Sequence, residues 1–191
     1  NSILNYVKRH EDESGIIYCA TKKNVDSVCE LLLQHGILAG RYHAGLSLEE
    51  RKESQDDFTY DRIRVMVATN AFGMGIDKSN VRYVLHYNMP QSLEYYYQGA
   101  GRAGRDGEEA ECVLFFSKQD IMINKRLLDY KATEGGYTSG DPAVRANEQR
   151  KLNQMIHYCE TDECLRQYIL NYFGDHSPCI CEKCSNCVVP E

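Results

Sequence analysis

The 191-residue chain contains no apolar run approaching the roughly 18 residues that a membrane-spanning helix requires, and no signal-like start. No membrane partner is therefore expected. Two nucleotide-handling sequences are absent as well. Neither Gly-x4-Gly-Lys-Ser/Thr nor Asp-Glu-x-His occurs anywhere, so the chain lacks the groups that in phosphate-loop enzymes hold ATP and Mg2+. A cationic excess is missing too: 22 Lys and Arg face 28 Asp and Glu, a net charge of −6. That weighs mildly against nucleic-acid binding, which depends on local basic patches more than on total charge. With 42% hydrophobic and 26% charged residues, the composition is that of a globular domain of ordinary size plus a small appendage. Asn rather than Met at position 1 leads us to expect a piece of a longer protein.

What is present is concentrated in a few segments. Gln98-Gly99-Ala100-Gly101-Arg102-Ala103-Gly104-Arg105-Asp106-Gly107 sets two arginines three residues apart among four glycines. A guanidinium stays charged and offers a planar fork of five donors that matches phosphate oxygens in pairs. Flanking glycines let the main chain approach such an anion closely. A solvated Gly/Arg loop is the bland alternative, and the rest of the chain argues against it.

The nine cysteines divide into two groups. Cys19 and Cys112 lie in strand-like apolar runs, while Cys29 and Cys159 complete helical apolar stripes; all four read as small buried hydrophobes. Cys181-x2-Cys184-x2-Cys187, preceded by Cys164 at the start of a helix, has the spacing of a structural zinc site. Cys179 is an alternative ligand, but four ligands drawn from 179–187 alone would crowd a very short loop, so Cys164 is the better fourth. An odd cysteine count in a thiol-rich chain speaks against a disulfide-bonded tail. Four thiolates leave no open coordination position, so Zn2+ here would be structural.

Strand and helix signals alternate along the chain. Strands are expected at Ile16–Cys19, Ala39–Tyr42, Ile63–Ala68, Tyr83–Tyr87 and Cys112–Phe116. Helices are expected at Lys22–His35, capped by Thr21 and stopped by Gly36, and from Leu48 to about Phe58, where Ser47 and Glu50 have capping-box spacing. A short helix follows Ser92. This alternation predicts an α/β fold, a parallel sheet with helices on both faces. Ligands bind such sheets at the carboxyl ends of the strands. Thr21 and Lys22, His43, Thr69 to Asp77, and Arg102 with Arg105 all fall at that edge. A Gly-, Thr- and Ser-rich connection at 131–143 separates this domain, 1–130, from a small helical cysteine-bearing unit, 131–191, with helices at Val144–Cys159 and about Glu163–Phe173.

These segments resemble those of the RecQ family of DNA helicases. Val67-Ala68-Thr69-Asn70-Ala71-Phe72-Gly73-Met74-Gly75-Ile76-Asp77-Lys78 is similar to the family's fifth helicase motif, and Gln98–Gly107 to its sixth. Tyr42-His43-Ala44-Gly45-Leu46 is a further family stretch. Cys164-Leu165-Arg166-Gln167, Tyr172-Phe173-Gly174-Asp175 and the three spaced cysteines resemble the RecQ zinc subdomain. The resemblance covers nearly the whole chain. It implies a second RecA-like motor lobe followed by a small helical four-cysteine zinc subdomain, in a bacterial-type enzyme that uses ATP to move 3′ to 5′ on single-stranded DNA and to separate duplexes. It further implies a place in DNA repair and recombination and a cytoplasmic, nucleoid-associated location.

The resemblance also implies roles for single residues. Arg105 matches the arginine finger that reaches ATP held on the partner lobe, and Arg102 its companion. Gly75, Asp77 and Gln98 match positions that line the nucleotide, and Thr69 a contact to the DNA backbone. Thr21 and Lys22 stand where a helix N-terminus accepts a phosphate. His43 has a functional reading and an equal one as a local packing residue. Cys164, Cys181, Cys184 and Cys187 match the zinc ligands. ATP and Mg2+ would be bound mainly by an upstream lobe, and the isolated chain is expected neither to hydrolyse ATP nor to unwind DNA. One departure stands out: the family usually has Glu directly after the motif's Gln, and this chain has Gly99. Two other classes compete, a non-enzymatic binding platform built on the lobe and a thiol redox protein using the cysteine tail.

Overall fold

A computed structural model describes residues 2–70, 72–73, 76–133, 141–176 and 180–188, with the backbone alone at 131–133. Gly75 and Cys179 lie outside the described residues. The elements run α1 (Ser2–Arg9), β1 (Ser14–Tyr18), α2 (Lys22–Gln34), β2 (Ala39–Tyr42), α3 (Leu48–Thr59), β3 (Val65–Ala68), β4 (Val81–His86), α4 (Leu93–Ala100), β5 (Glu111–Leu114), α5 (Lys118–Thr133), α6 (Pro142–Glu160) and α7 (Leu165–Tyr172).

The strands form one parallel sheet in the order β2-β3-β1-β4-β5. Its central strands are buried on both faces, which is why Ile16-Ile17-Tyr18 and Val65-Met66-Val67-Ala68 read as unbroken apolar runs instead of alternating ones. Successive side chains still point to opposite faces. Ile17, Val65, Val67, Tyr83 and Leu85 meet α1 and α2 through Ile3, Val7, Val25, Val28 and Leu32. Ile16, Tyr18, Met66, Ala68 and Val84 form the other face with Phe58 of α3, Phe72 and Ile76. Each fully buried Leu, Ile or Phe contributes about 1.5–3 kcal/mol, so the two layers supply most of what holds the lobe.

Local signals set the helix ends as expected. The Thr21 hydroxyl accepts the Asn24 N–H at 3.2 Å, and Ser47 and Glu50 form a reciprocal capping box. Gly36, at φ 77°, turns the chain out of α2 in a conformation that other residues adopt only with strain. Two helices escape the sequence reading. α1 is short, and α5 spans the end of the stretch assigned to the first domain. Cys112 is also corrected. It is exposed on edge strand β5, with its sulfur 3.6 Å from the Ala100 carbonyl, and Cys159 is half-buried, whereas Cys19 and Cys29 are buried as expected.

The chain packs as two compact units, Asn1–Pro90 with Glu94–Asp120, and Gln91–Leu93 with Ile121–Glu191. In the second, α6 buries Leu152, Met155 and Tyr158 along one stripe, while α7 buries no residue fully.

Candidate functional site

The sheet register makes the carboxyl edge flush. Tyr42 pairs with Ala68, Ala68 with Tyr18, Tyr18 with His86, and His86 with Leu114. The ladder continues one residue further, through Thr69 N–H to the Tyr42 carbonyl, Cys19 N–H to Ala68, Tyr87 N–H to Tyr18 and Phe115 N–H to His86. His43, Thr69 and the loop leading to Thr21 therefore emerge side by side, together with Asn88, which the sequence reading passed over. The Asn88 side-chain oxygen accepts from the Ala20 N–H at 3.1 Å and from the Asn24 amide at 3.0 Å, while its own amide donates to Asp120 at 2.9 Å. This one side chain fixes the β1–α2 turn that carries Thr21 and Lys22. Only its place after β4, at the strand's carboxyl end, hinted at such a role.

His43 is held on both sides of its ring. Its Nδ1 accepts the Gly45 N–H at 3.1 Å, which fixes the tautomer, so Nε2–H donates to Asp26 Oδ1 at 3.1 Å. Arg41 Nη1 donates to the same carboxylate at 2.9 Å. Partial burial works against ionisation of Asp26, but the hydrogen bonds from His43 and Arg41 hold its carboxyl below the usual range. His43 thus shapes the β2 end with both ring nitrogens already engaged.

The Gly/Arg loop is stitched to the first motif segment. Arg105 Nη1 donates to the Ile76 carbonyl at 3.2 Å and its Nε to the Gly101 carbonyl at 3.2 Å. The Gly104 N–H donates to the Val81 carbonyl at 2.9 Å. Arg82 grips the far side through Asp106 and the Glu109 carbonyl, and its guanidinium holds the Asp106 carboxyl below the usual range. Arg102 lies across the main chain at Gly73. That glycine has φ 119°, and a Cβ there would stand 2.9 Å from Arg102 Nε. Only glycine supplies both the backbone angle and the space. Tyr18 donates its hydroxyl to the Phe72 carbonyl at 3.1 Å. Burial pushes this phenol up to about 12, although the cationic Arg102 and Arg105 pull the other way. Tyr18, Asn70, Phe72, Tyr95, Gln98, Gly99 and Arg102 surround a small cavity of about 10 Å3. Gln98 and Asp77 are exposed, and Thr69 is half-buried. Lys78, by contrast, is buried: its ammonium sits 2.7 Å from Asp61 and 5.2 Å over the Phe58 ring.

The four cysteines converge in the second unit. The sulfurs of Cys164, Cys181, Cys184 and Cys187 all lie within 4.8 Å of one another. Three of the separations are 3.3, 3.9 and 4.0 Å, close to the roughly 3.8 Å edge of a tetrahedron with 2.3 Å zinc–sulfur bonds. Main-chain N–H groups already point at the sulfurs, from Leu165 to Cys184, Cys181 to Cys164 and Cys184 to Cys181. Such donors stabilise thiolates, and they bring Cys184 down to about 6 despite partial burial. Cys187, losing hydration and donating to Cys184, is pushed up to about 12. Four sulfurs this close cannot all ionise without a cation between them, and the donor set fits Zn2+. Asn186 closes the knuckle by donating to the Thr161 and Glu163 carbonyls, both at 2.8 Å.

Comparison with known proteins gives this arrangement a family. Residues 1–107 match the helicase conserved C-terminal domain, and residues 118–188 match the RecQ zinc-binding domain. The chain is 48% identical over 185 residues to the ATP-dependent DNA helicase RecQ of Bacillus subtilis, covering 97% of this chain and 30% of that protein. It is 40% identical over 190 residues to the RecQ-like DNA helicase BLM of Xenopus laevis, covering 95% of this chain and 14% of that one. Among solved structures, a DEAD box protein from the hyperthermophile Methanococcus jannaschii superposes with a TM-score of 0.57 at 26% identity, over 68% of this chain and 35% of that chain. The chain therefore spans less than a third of the length of these two curated relatives. No helix among the described residues is long and apolar enough to cross a membrane. A parallel RecA-like sheet, a motif pair joined at Arg105 and a four-cysteine zinc knuckle together make this chain a member of the RecQ helicase family.

Proposed function

We propose that the chain is the second motor lobe and zinc subdomain, 1–130 and 131–191, of an ATP-dependent 3′ to 5′ DNA helicase of the RecQ type, acting in repair and recombination. The observation that carries this reading is the seating of Arg102 and Arg105 on the main chain of the first motif segment, at Gly73 and Ile76. A change in either segment is thereby felt by the other. Arg105 acts as the finger on ATP held by an upstream lobe, and Arg102 as its companion. A finger offsets the negative charge spread over the transferring phosphoryl and is worth roughly 10³–10⁵ in rate in other NTPases. Asp77, Gly75 and Gln98 line the nucleotide side. Thr69, Thr21 and Lys22 form the DNA track along the flush strand edge, with His43 supporting it from β2. Contacts of this kind go to phosphates, so base preference is weak. ATP and Mg2+ come from the upstream lobe, and the chain alone does not turn over ATP.

Single-stranded-DNA-stimulated ATP hydrolysis by the intact helicase, native sequence against Arg105→Ala, tests this. The expected result is a fall of about 10³-fold or more with ATP binding largely kept. Equal turnover in the two proteins would remove Arg105 from the finger role and move attention to Arg102.

A further inference from the structure

His86 ends β4 in a place where an imidazole has little reason to be. Its side chain is 1% exposed, and neither ring nitrogen has a hydrogen-bond partner among the described residues. A neutral imidazole carries one N–H donor and one acceptor, and leaving both unmade in the interior is unfavourable. The ring stacks on Tyr18 of β1, with centroids 5.4 Å apart, and leans on Tyr96 of α4 at 4.9 Å. Its Nε2 faces Gly99: a Cβ at that position would stand 2.8 Å from Nε2, and the ring would have to yield by a few tenths of an ångström.

Gly99 has no backbone reason to be glycine. It sits inside α4 with an ordinary helical φ, unlike Gly73 or Gly104, and a helix-interior glycine is destabilising. The charged and titratable groups around the pocket are the Tyr18 hydroxyl from β1, Tyr96 from α4, and the guanidinium groups of Arg102 and Arg105, both close enough to act on Tyr18. Burial alone lowers His86, to about 3; no carboxylate acts on it. The environment is thus a buried N–H donor and two cations with no anion to answer them.

We propose that His86 is a positioning residue for the arginine loop, and that its unused ring N–H is matched to a carboxylate side chain at position 99, where Gly99 leaves it unlatched. The link is direct, because Gly99 is followed within six residues by Arg102 and Arg105, and the Arg102 N–H donates to the Gly99 carbonyl at 3.1 Å. A glutamate at 99 would accept from His86 and offset the arginines, holding the last turn of α4 against β4. A glutamine would accept the same hydrogen bond without the charge. The proposal rests on the helicase reading only for its effect on turnover; the pairing itself is a property of the lobe.

Two measurements test it. On the 191-residue chain, ring-nitrogen and ring-carbon NMR of His86 should show a neutral imidazole with no protected ring N–H from about pH 8 to about pH 5. Gly99→Glu should produce a slowly exchanging His86 N–H and raise the thermal midpoint by about 2–4 °C. Gly99→Ala, which gains only helix propensity, should give no such N–H, and Gly99→Gln should give it with a smaller rise. The decisive comparison adds His86→Phe. With Gly99 retained, His86→Phe should be neutral or stabilising, because it removes an unsatisfied ring. Combined with Gly99→Glu it should cancel the gain. If Gly99→Glu shows no protected His86 N–H, or gains as much with His86→Phe as without, the pairing is wrong. In the intact helicase, Gly99→Glu should raise kcat severalfold with little change in KM for ATP. A gain in kcat that survives His86→Phe would overturn the positioning role. A protected N–H with no change in kcat would keep the pairing and overturn the positioning role. Loss of turnover in every variant, native included, would count against the helicase reading alone.

Discussion

The two units of this chain solve the same problem by different means. The first packs a parallel sheet between helices on both sides, with Ile17, Val67 and Leu85 on one face and Ile16, Met66 and Val84 on the other. It can place arginines and a strained glycine at its edge because the interior already outweighs their cost. The second unit has one buried stripe on α6 and none on α7, and its last turn is organised around four sulfurs. Where apolar area is scarce, small domains rely on metal or disulfide cross-links. The difference teaches where each unit is vulnerable: the sheet to changes of shape, the knuckle to changes of chemistry.

The largest effect that would sharpen this contrast is metal removal. Structural zinc contributes on the order of 10 kcal/mol to the folding of small sites. A strong chelator, or Cys184→Ser, is expected to abolish amide protection in α6 and α7 while leaving β1, β3 and β4 protected. Hydrogen exchange reads both at once, and parallel loss in the sheet would show that the two units do not unfold separately. The Arg105→Ala collapse in turnover comes next.

A shape change in the sheet unit follows. Gly73→Ala forces φ 119° on a residue with a side chain and pushes into Arg102. Strain of roughly 1–3 kcal/mol is expected in the fold, and a misplaced arginine should lower the intact helicase's turnover by about 10²-fold. Retained activity would mean that the Arg102 position is not needed for chemistry.

The smallest effect concerns Lys78 and Asp61, and it has a direction. Asp61→Asn leaves a buried ammonium without its counter-charge, whereas Lys78→Met leaves a carboxylate that is about half exposed and can rehydrate. The first should cost about 1–2 kcal/mol and the second less than about 1; the reverse order in denaturant melts would refute the pairing logic. The Lys78 ammonium holds the Asp61 carboxyl below its usual range. The folded value lies below the unfolded one, so this stabilisation is complete above about pH 4 and is lost as pH falls through the folded value.

Local chemistry was largely readable. Thr21, Ser47 with Glu50, and Gly36 mark helix ends through hydrogen bonds made within three or four residues. The apolar runs at Ile16 and Val65 announce buried parallel strands. The cysteine spacing marks the knuckle, because one tight turn suffices to bring Cys181 and Cys184 together. α5 carried a signal too, since Asp120 accepts the Ser117 N–H at 2.8 Å in a Ser-x-x-Asp start that resembles a capping box. α1 is only eight residues long and gave no comparable mark. The exposure of Cys112 could not be read, because an edge strand and a central one look alike until the strand order is known. The burial of Lys78 depends on Asp61, seventeen positions away, and the approach of His86 to Gly99 joins two elements that no periodicity connects.

The flush carboxyl edge also governs where this chain can tolerate length variation. Tyr42, Ala68, Tyr18 and His86 end level with one another, so adding one residue to any of these strands would advance one motif past the rest and flip its side chains to the other face. The opposite edge carries no such constraint at the α2–β2 turn, where His35 to Leu38 is mostly exposed. Extra residues inserted there cost little closure entropy and leave the spacing of the arginines and the DNA track untouched. Homologous lobes should differ in length at that turn and keep strict length at the motif edge.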